Sequence, residues 1–255
     1  MRVLVCIKRV PAPGAKINLT ADGRALDTAF LGFTMSPHEE CGVEAAVQLI
    51  EAHGGSSTVL TVGPPEAEEQ LRYAVSIGIE HAVLVPIGND DWDPQRTSRA
   101  VLAAIRSLEA ADGPFDVIIF GNESADSGGY QVGIRAAHAL GRAMVNGIKG
   151  IAVEGSTVVA RREADAGVEV YELPMPCVIG VKEGVNLPRY PTLKGRLNSK
   201  KVPLVTSDAV DLPGGQQMIV MTRPTETASE TVILGTGPEA AAAVVDLLEE
   251  LGVLK

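Results

Sequence analysis

The residues with the strongest chemical promise lie in one turn, Gly121-Asn122-Glu123-Ser124-Ala125-Asp126-Ser127-Gly128-Gly129-Tyr130-Gln131-Val132. An apolar run, Phe115 to Phe120, precedes it and suits a strand buried on both faces. After it, Val132, Ala136, Ala139 and Leu140 recur at helical spacing, and Gly141 stands where a helix would stop. A strand, a glycine-bearing turn and a helix in that order leave the first helical N–H groups without internal partners, pointing with the positive end of the helix dipole above the strand. An anion satisfies them, most simply a phosphate. The glycines leave room for close approach, and Asp126 and Gln131 can bond hydroxyl or amide groups of a ligand. Glycine-rich βα turns also occur without ligands, so the turn alone indicates nucleotide binding only weakly.

Other chemistry finds no support. His38, His53, His81 and His138 show no metal-ligand spacing with one another or with cysteine. There is no Gly-x-Ser-x-Gly elbow and no Gly-x-x-x-x-Gly-Lys-Ser/Thr loop. Ser127-Gly128-Gly129 resembles the opening of the ATP pyrophosphatase loop, but Gln131-Val132 replaces its downstream Asp-Ser. No nucleophile or base can be assigned, and no metal is expected. A hydrolase of that type and a free-standing nucleotide-sensing module remain as competing classes.

The elements that must position the turn alternate regularly. Arg2 to Lys8, Ser57 to Val62, His81 to Pro86 and the Phe115 run read as strands. Helices are expected from Ser36-Pro37-His38-Glu39, which combines a cap, a proline at the first position and a capping-box acid, and over Glu66 to Ile77 and from Asp93-Pro94. This βα succession predicts a doubly wound, mostly parallel sheet, with ligands outside the carboxyl ends of the strands. Ser36 and His38 then become possible contacts, although plain capping explains Ser36 as well.

Val10 to Met35 reads as a long loop with a short hairpin around Ala21-Asp22-Gly23. Beyond Gly141, short strands at Gly147–Val153, Thr157–Arg162, Val168–Leu173 and Cys177–Val181 predict an added meander. Asn186 to Lys201 is basic and lacks periodicity, which predicts an exposed loop; Tyr190 and Leu193 inside it suit partner docking. A terminal helix over Glu239 to Leu251 presents Val244, Leu247, Leu248 and Leu251. The expected division is an α/β domain over 1–185, the loop over 186–201 and a C-terminal arm over 202–255.

The formal charge of −10 in 255 residues speaks against nucleic acid. The absence of a targeting or membrane-spanning apolar stretch predicts a soluble cytoplasmic protein. Cys6, Cys41 and Cys177 suit reduced core thiols.

The chain resembles the electron transfer flavoprotein β subunit family. The resemblance rests on VLVCIKRVP, MSPHEECGVEAAVQL, TVGP, GNESADSGGYQVG and RREADAGVEVYELPMPCVIGVKEGVNLPRYPTLKG, and runs over essentially the whole chain. It implies a Rossmann-like fold of the adenine-nucleotide α-hydrolase type. It also implies a heterodimer with an α subunit that holds most of a redox-active FAD, and an AMP of structural role in this subunit. By position the AMP pocket takes Cys6, Ser36, Pro37, His38, Glu39, Val62 and the turn Gly121 to Val132, with the phosphate over Tyr130, Gln131 and Val132. Members that bifurcate electrons hold a second FAD there instead, and Gln131-Val132-Gly133 is similar to their turn. Leu193 falls at the position of the family's anchoring leucine for flavin dehydrogenases such as acyl-CoA dehydrogenases. Glu163 falls where an acidic residue pairs with the α subunit. The implied role is that of an electron carrier without catalytic residues of its own, delivering to an acceptor similar to the electron transfer flavoprotein–quinone oxidoreductase.

Overall fold

The structure, a computed structural model, describes residues 1–88, 92–209, 213–224 and 231–254. It forms two compact units, residues 1–220 and 221–255. In the first, strands β1 (Arg2–Ile7), β2 (Val10–Pro11) and β3 (Phe33–Thr34) precede helix α1 (Pro37–His53), β4 (Ser56–Gly63), α2 (Glu68–Ile77) and β5 (His81–Pro86). Next come α3 (Pro94–Asp112), β6 (Val117–Gly121), α4 (Val132–Leu140), β7 (Met144–Glu154), β8 (Thr157–Ala164), β9 (Gly167–Pro174) and β10 (Cys177–Val181). A short helix, α5 (Leu193–Ser199), and strand β11 (Leu204–Thr206) complete the unit.

The nine-stranded sheet runs β11-β5-β4-β1-β6-β10-β7-β8-β9. Its strands from β11 to β7 are parallel, and β7, β8 and β9 are antiparallel. The α/β, mostly parallel fold expected from the alternation is what the chain forms. Along β1 the side chains divide between the faces: Val3, Val5 and Ile7 pack with Val43, Val47, Leu71 and Val75 of α1 and α2. Leu4 and Cys6 pack with Val101, Ile105 and Ala136 of α3 and α4. Residues of alternate parity facing helices on both sides is the signature of a doubly wound sheet.

Several placements differ from expectation: β2 pairs with β3 within the stretch read as a long loop, and β11, within the expected arm, joins the sheet beside β5. Cys177–Val181 does not extend the meander; β10 inserts between β6 and β7, parallel to both. An unbroken apolar run marks a strand buried on both faces but names no neighbour. Within Asn186 to Lys201, read as irregular, α5 forms because the Thr192 side chain accepts from the Gly195 N–H at 3.0 Å and starts a helix too short to show periodicity. It rests on α2 so closely that a Cβ on Gly195 would lie 2.1 Å from the Ser76 carbonyl oxygen.

The hairpin expected in the first long loop is present: Leu19 bridges Leu26, and Thr20 receives Gly23 N–H at 2.9 Å. Cys6, Cys41 and Cys177 are free and buried. The unit 221–255 carries α6 (Ala241–Glu250) after a helical turn at Gly237–Ala240. Parts of the expected arm, residues 210–212, 225–230 and 255, lie outside the described residues. Among the described residues, no helix is long and apolar enough to cross a membrane.

Candidate nucleotide site

From β1 the chain moves outward to β4 and β5, then returns to the other side of β1 to form β6. The strand order therefore reverses between β1 and β6, and connections leaving their carboxyl ends diverge to opposite faces. That divergence opens a crevice, the usual ligand position in an open α/β sheet. The turn 121–132 emerges there.

Cys6 lies opposite Phe120 of β6 and Leu60 of β4. Val62 continues β4 past the end of that register, half-buried. Ser36 and Pro37 start α1, and the Ser36 N–H donates to the Glu39 carboxylate at 3.2 Å, the backbone half of the expected capping box. Gly121 faces this helix start. A Cβ there would sit 2.8 Å from Glu39 Cγ and 3.3 Å from His38 Cβ, so the strand end and the helix start approach as only glycine allows. The predicted contacts Cys6, Ser36 to Glu39, Val62 and the turn thus share one end of the sheet.

The turn is closed by its own side chains. Asn122 is buried, and its N–H donates to Val181 O at 2.8 Å. Gly128 N–H donates to Ser124 O at 3.1 Å, and the Ser124 and Ser127 hydroxyls are 3.2 Å apart. Ser127 N–H donates to Asp126 Oδ1 at 2.7 Å. Asp126 also pairs with Lys8 Nζ at 2.6 Å, across the crevice from β1. Burial pushes its carboxyl up, and the Lys8 ammonium together with the Ser124 hydroxyl and the Ser127 N–H holds it below the usual carboxylate range. Gly128 takes φ 55° with open space around it, Gly129 approaches Pro94, and Tyr130 takes a left-handed φ of 55°. The Tyr130 hydroxyl bonds Glu123, which raises its pKa, and Glu123 in turn meets His38 Nε2 at 3.3 Å. His38 Nδ1 accepts the Glu183 N–H at 2.7 Å. This fixes Nε2 as the protonated nitrogen of the neutral ring.

At the start of α4, Gln131 Oε1 accepts from Arg135 Nε at 3.1 Å. Both side chains line a cavity of about 250 Å3 with Asp93, Pro94, Gln95, Gly215 and Gln216. Asp93 caps α3 by accepting the Arg96 N–H, and its second oxygen accepts the Gly215 and Gln216 N–H groups at 2.8 and 3.0 Å. Two helix starts and a guanidinium border this cavity; the Asp93 carboxylate already answers the start of α3, which leaves the start of α4 beside Arg135 as its electropositive side. Lys8 and Arg135 were not singled out from the sequence, and Asp93 was read there only as the helix start that it is. Lys8 sits in a basic pair at the end of a strand, a weak signal, and only the sheet order brings it to Asp126.

Glu39 is 6% exposed, and burial pushes its carboxyl up to about 8, opposed by the Lys8 and Ser36 N–H groups. Between pH 4.5 and about 8 the native state holds a proton that the unfolded state has released, so stability falls as pH rises through that window. Glu39→Gln keeps the acceptor and removes the buried charge. It is expected to raise stability at pH 8.5 by about 1–3 kcal/mol and to change it little at pH 5. Thermal melts at both values check this, and equal effects at the two would contradict it.

The remaining predicted residues lie elsewhere. Glu163 is on β8, separated from β6 by β10 and β7, and pairs with Lys149 at 2.8 Å. Tyr190 and Leu193 project beyond α1 and α2, 90% and 76% exposed. Among the described residues, no cluster of His, Cys, Asp and Glu could hold a metal ion.

A family model, the electron transfer flavoprotein domain, matches residues 26–212. The electron transfer flavoprotein subunit beta of Bacillus subtilis is 35% identical over 178 residues, 70% of this chain and 68% of that protein. The subunit beta of Mycobacterium tuberculosis is 33% identical over 247 residues, 90% of this chain and 91% of its own. At 29% identity, the acryloyl-CoA reductase electron transfer subunit gamma of Anaerotignum propionicum aligns over the full length of both. With a crevice at the point where strand order reverses, and a match spanning most of the first unit, the chain belongs to the electron transfer flavoprotein family as a β-type subunit with a role in electron transfer.

Proposed function

We propose that this chain is the β subunit of a heterodimeric electron transfer flavoprotein, with an AMP in the crevice between β1 and β6 and an FAD held mainly by the α subunit. The observation that carries the nucleotide assignment is the convergence of Cys6, Glu39, Gly121 and the turn 121–132 at the reversal of strand order. The donor set suits AMP. The start of α4, with Gln131 and Arg135, suits the phosphate. Gly121 lets the strand end close on the start of α1, with Glu39 and His38 at that approach.

AMP has no redox chemistry; bound, it ties the crevice walls together. FAD supplies one- and two-electron chemistry when bound. What this chain contributes is partner geometry: Glu163 on β8, within the antiparallel strands, toward the α subunit, and Tyr190 and Leu193 toward flavin dehydrogenases such as acyl-CoA dehydrogenases. An apolar anchor gives affinity while leaving the rest of the encounter mobile. Electrons pass on to an acceptor similar to the electron transfer flavoprotein–quinone oxidoreductase.

A second reading places another FAD here, as in bifurcating members. Gln131-Val132-Gly133, the open space at Gly128 and the cavity beside α4 favour it. The basic test of the subunit assignment is co-expression with an electron transfer flavoprotein α subunit. A one-to-one complex whose flavin is reduced by an acyl-CoA dehydrogenase and its substrate is expected. A chain that purifies alone and leaves the α subunit's flavin unreduced would overturn it.

A further inference from the structure

The segment that carries Tyr190 and Leu193 is tied along α1 by a polar stripe that the electron transfer role does not explain. Four positions of α1 at helical spacing take part. His38 accepts the Glu183 N–H at 2.7 Å, and the Cys41 carbonyl accepts Asn186 Nδ2 at 2.9 Å. Glu44 then accepts Arg189 Nε at 2.8 Å and Nη2 at 2.9 Å. Glu51, two turns further on, takes Nη1 at 2.6 Å and Nη2 at 2.9 Å. One guanidinium thus holds two carboxylates bidentately. Glu44 is 2% exposed and also accepts Gln48 Nε2 at 2.8 Å. A carboxylate buried to that degree is tolerable only with such a fork against it.

The other end of the segment is held as well. Arg72 of α2 donates to the carbonyls of Ser199 and Val202, and Gly195 lies against Ser76. Between these ties Tyr190, Leu193 and Leu197 stand out, 90%, 76% and 56% exposed. Exposed apolar side chains on an untethered loop would have to lose their conformational freedom on docking, and that ordering opposes binding. A segment already held in its binding conformation avoids most of that cost.

We infer that Arg189, through its fork on Glu44 and Glu51, is the positioning residue that presents Tyr190 and Leu193 to the partner flavoprotein. This rests on the docking role proposed above for that segment. Lysine cannot reproduce the arrangement, because a point charge does not span two carboxylates bidentately.

The test uses the α/β heterodimer as electron acceptor for an acyl-CoA dehydrogenase held at catalytic concentration. Arg189→Ala is expected to raise KM for the heterodimer about tenfold while kcat stays within about twofold, and Arg189→Lys is expected to fall between. Because Arg189→Ala strands the buried Glu44 charge, the pair Glu44→Met with Arg189→Met supplies the control. It restores thermal stability by replacing both groups with apolar ones, yet KM stays raised. A native KM in that double variant would show that the clamp only stabilises the fold and would overturn the inference. Leu193→Ala in the same assay separates the two levels. If its KM is native, the docking reading itself falls, and the positioning role with it. If its KM rises while the double variant stays native, only the positioning role falls.

Discussion

Leu193→Ala is expected to leave folding, α subunit pairing and flavin content intact while lowering kcat/KM for reduction by a flavin dehydrogenase by about tenfold or more. Leu193 opens α5 at 76% exposure, so truncation removes little internal packing. In a partner's cleft it would be fully desolvated, and burial of a leucine contributes about 1.5–3 kcal/mol. Anchors near the centre of an interface carry such energies, and each 1.4 kcal/mol is about tenfold in affinity. Stopped-flow bleaching of the carrier flavin reads the effect directly. A rate indistinguishable from the native one would remove Leu193 from the docking surface.

Gly121→Val has a comparably large effect at the other site. A Cβ at this position meets Glu39 Cγ at 2.8 Å and the Glu39 nitrogen at 3.3 Å, and valine adds further atoms. Glu39 is buried and bonded to Ser36, so it cannot swing into solvent. Either β6 or the start of α1 must shift. Overpacking of this kind costs about 1–3 kcal/mol, and the shift moves the crevice walls apart. The variant is expected to lose its bound nucleotide, seen as less than about a tenth of native nucleotide per complex, with a lowered melting temperature. Native nucleotide content would show that the crevice at Gly121 is not the binding position.

Much of this was visible in the sequence, for a physical reason. Strands buried on both faces read as apolar runs, and His81–Pro86 and Cys177–Val181 have the bounds that composition predicts. Pro37 and Glu39 mark the start of α1 through local capping chemistry, which needs no tertiary knowledge. Neighbours are another matter. Nothing in Cys177-Val178-Ile179-Gly180-Val181 says that it slips between β6 and β7, because pairing is decided by connection lengths and by which sheet edge remains open. Likewise Arg189 and Glu44 are 145 residues apart, and Lys8 meets Asp126 only because β1 and β6 are adjacent. The turn 121–132 was legible as a strand-to-helix junction. Its relation to Glu39 and Lys8 was not, since that depends on where the strand order reverses.

The most direct test of a β-type subunit with AMP in the crevice is to count nucleotides. The complex with the α subunit is purified, denatured, and its released nucleotides are separated and quantified by chromatography. One FAD and one AMP per heterodimer is the predicted result. Two FAD without AMP would contradict the AMP assignment and make Gly121 to Gly133 a flavin site, and a complex that releases no nucleotide attributable to this chain would contradict the crevice as a nucleotide site altogether.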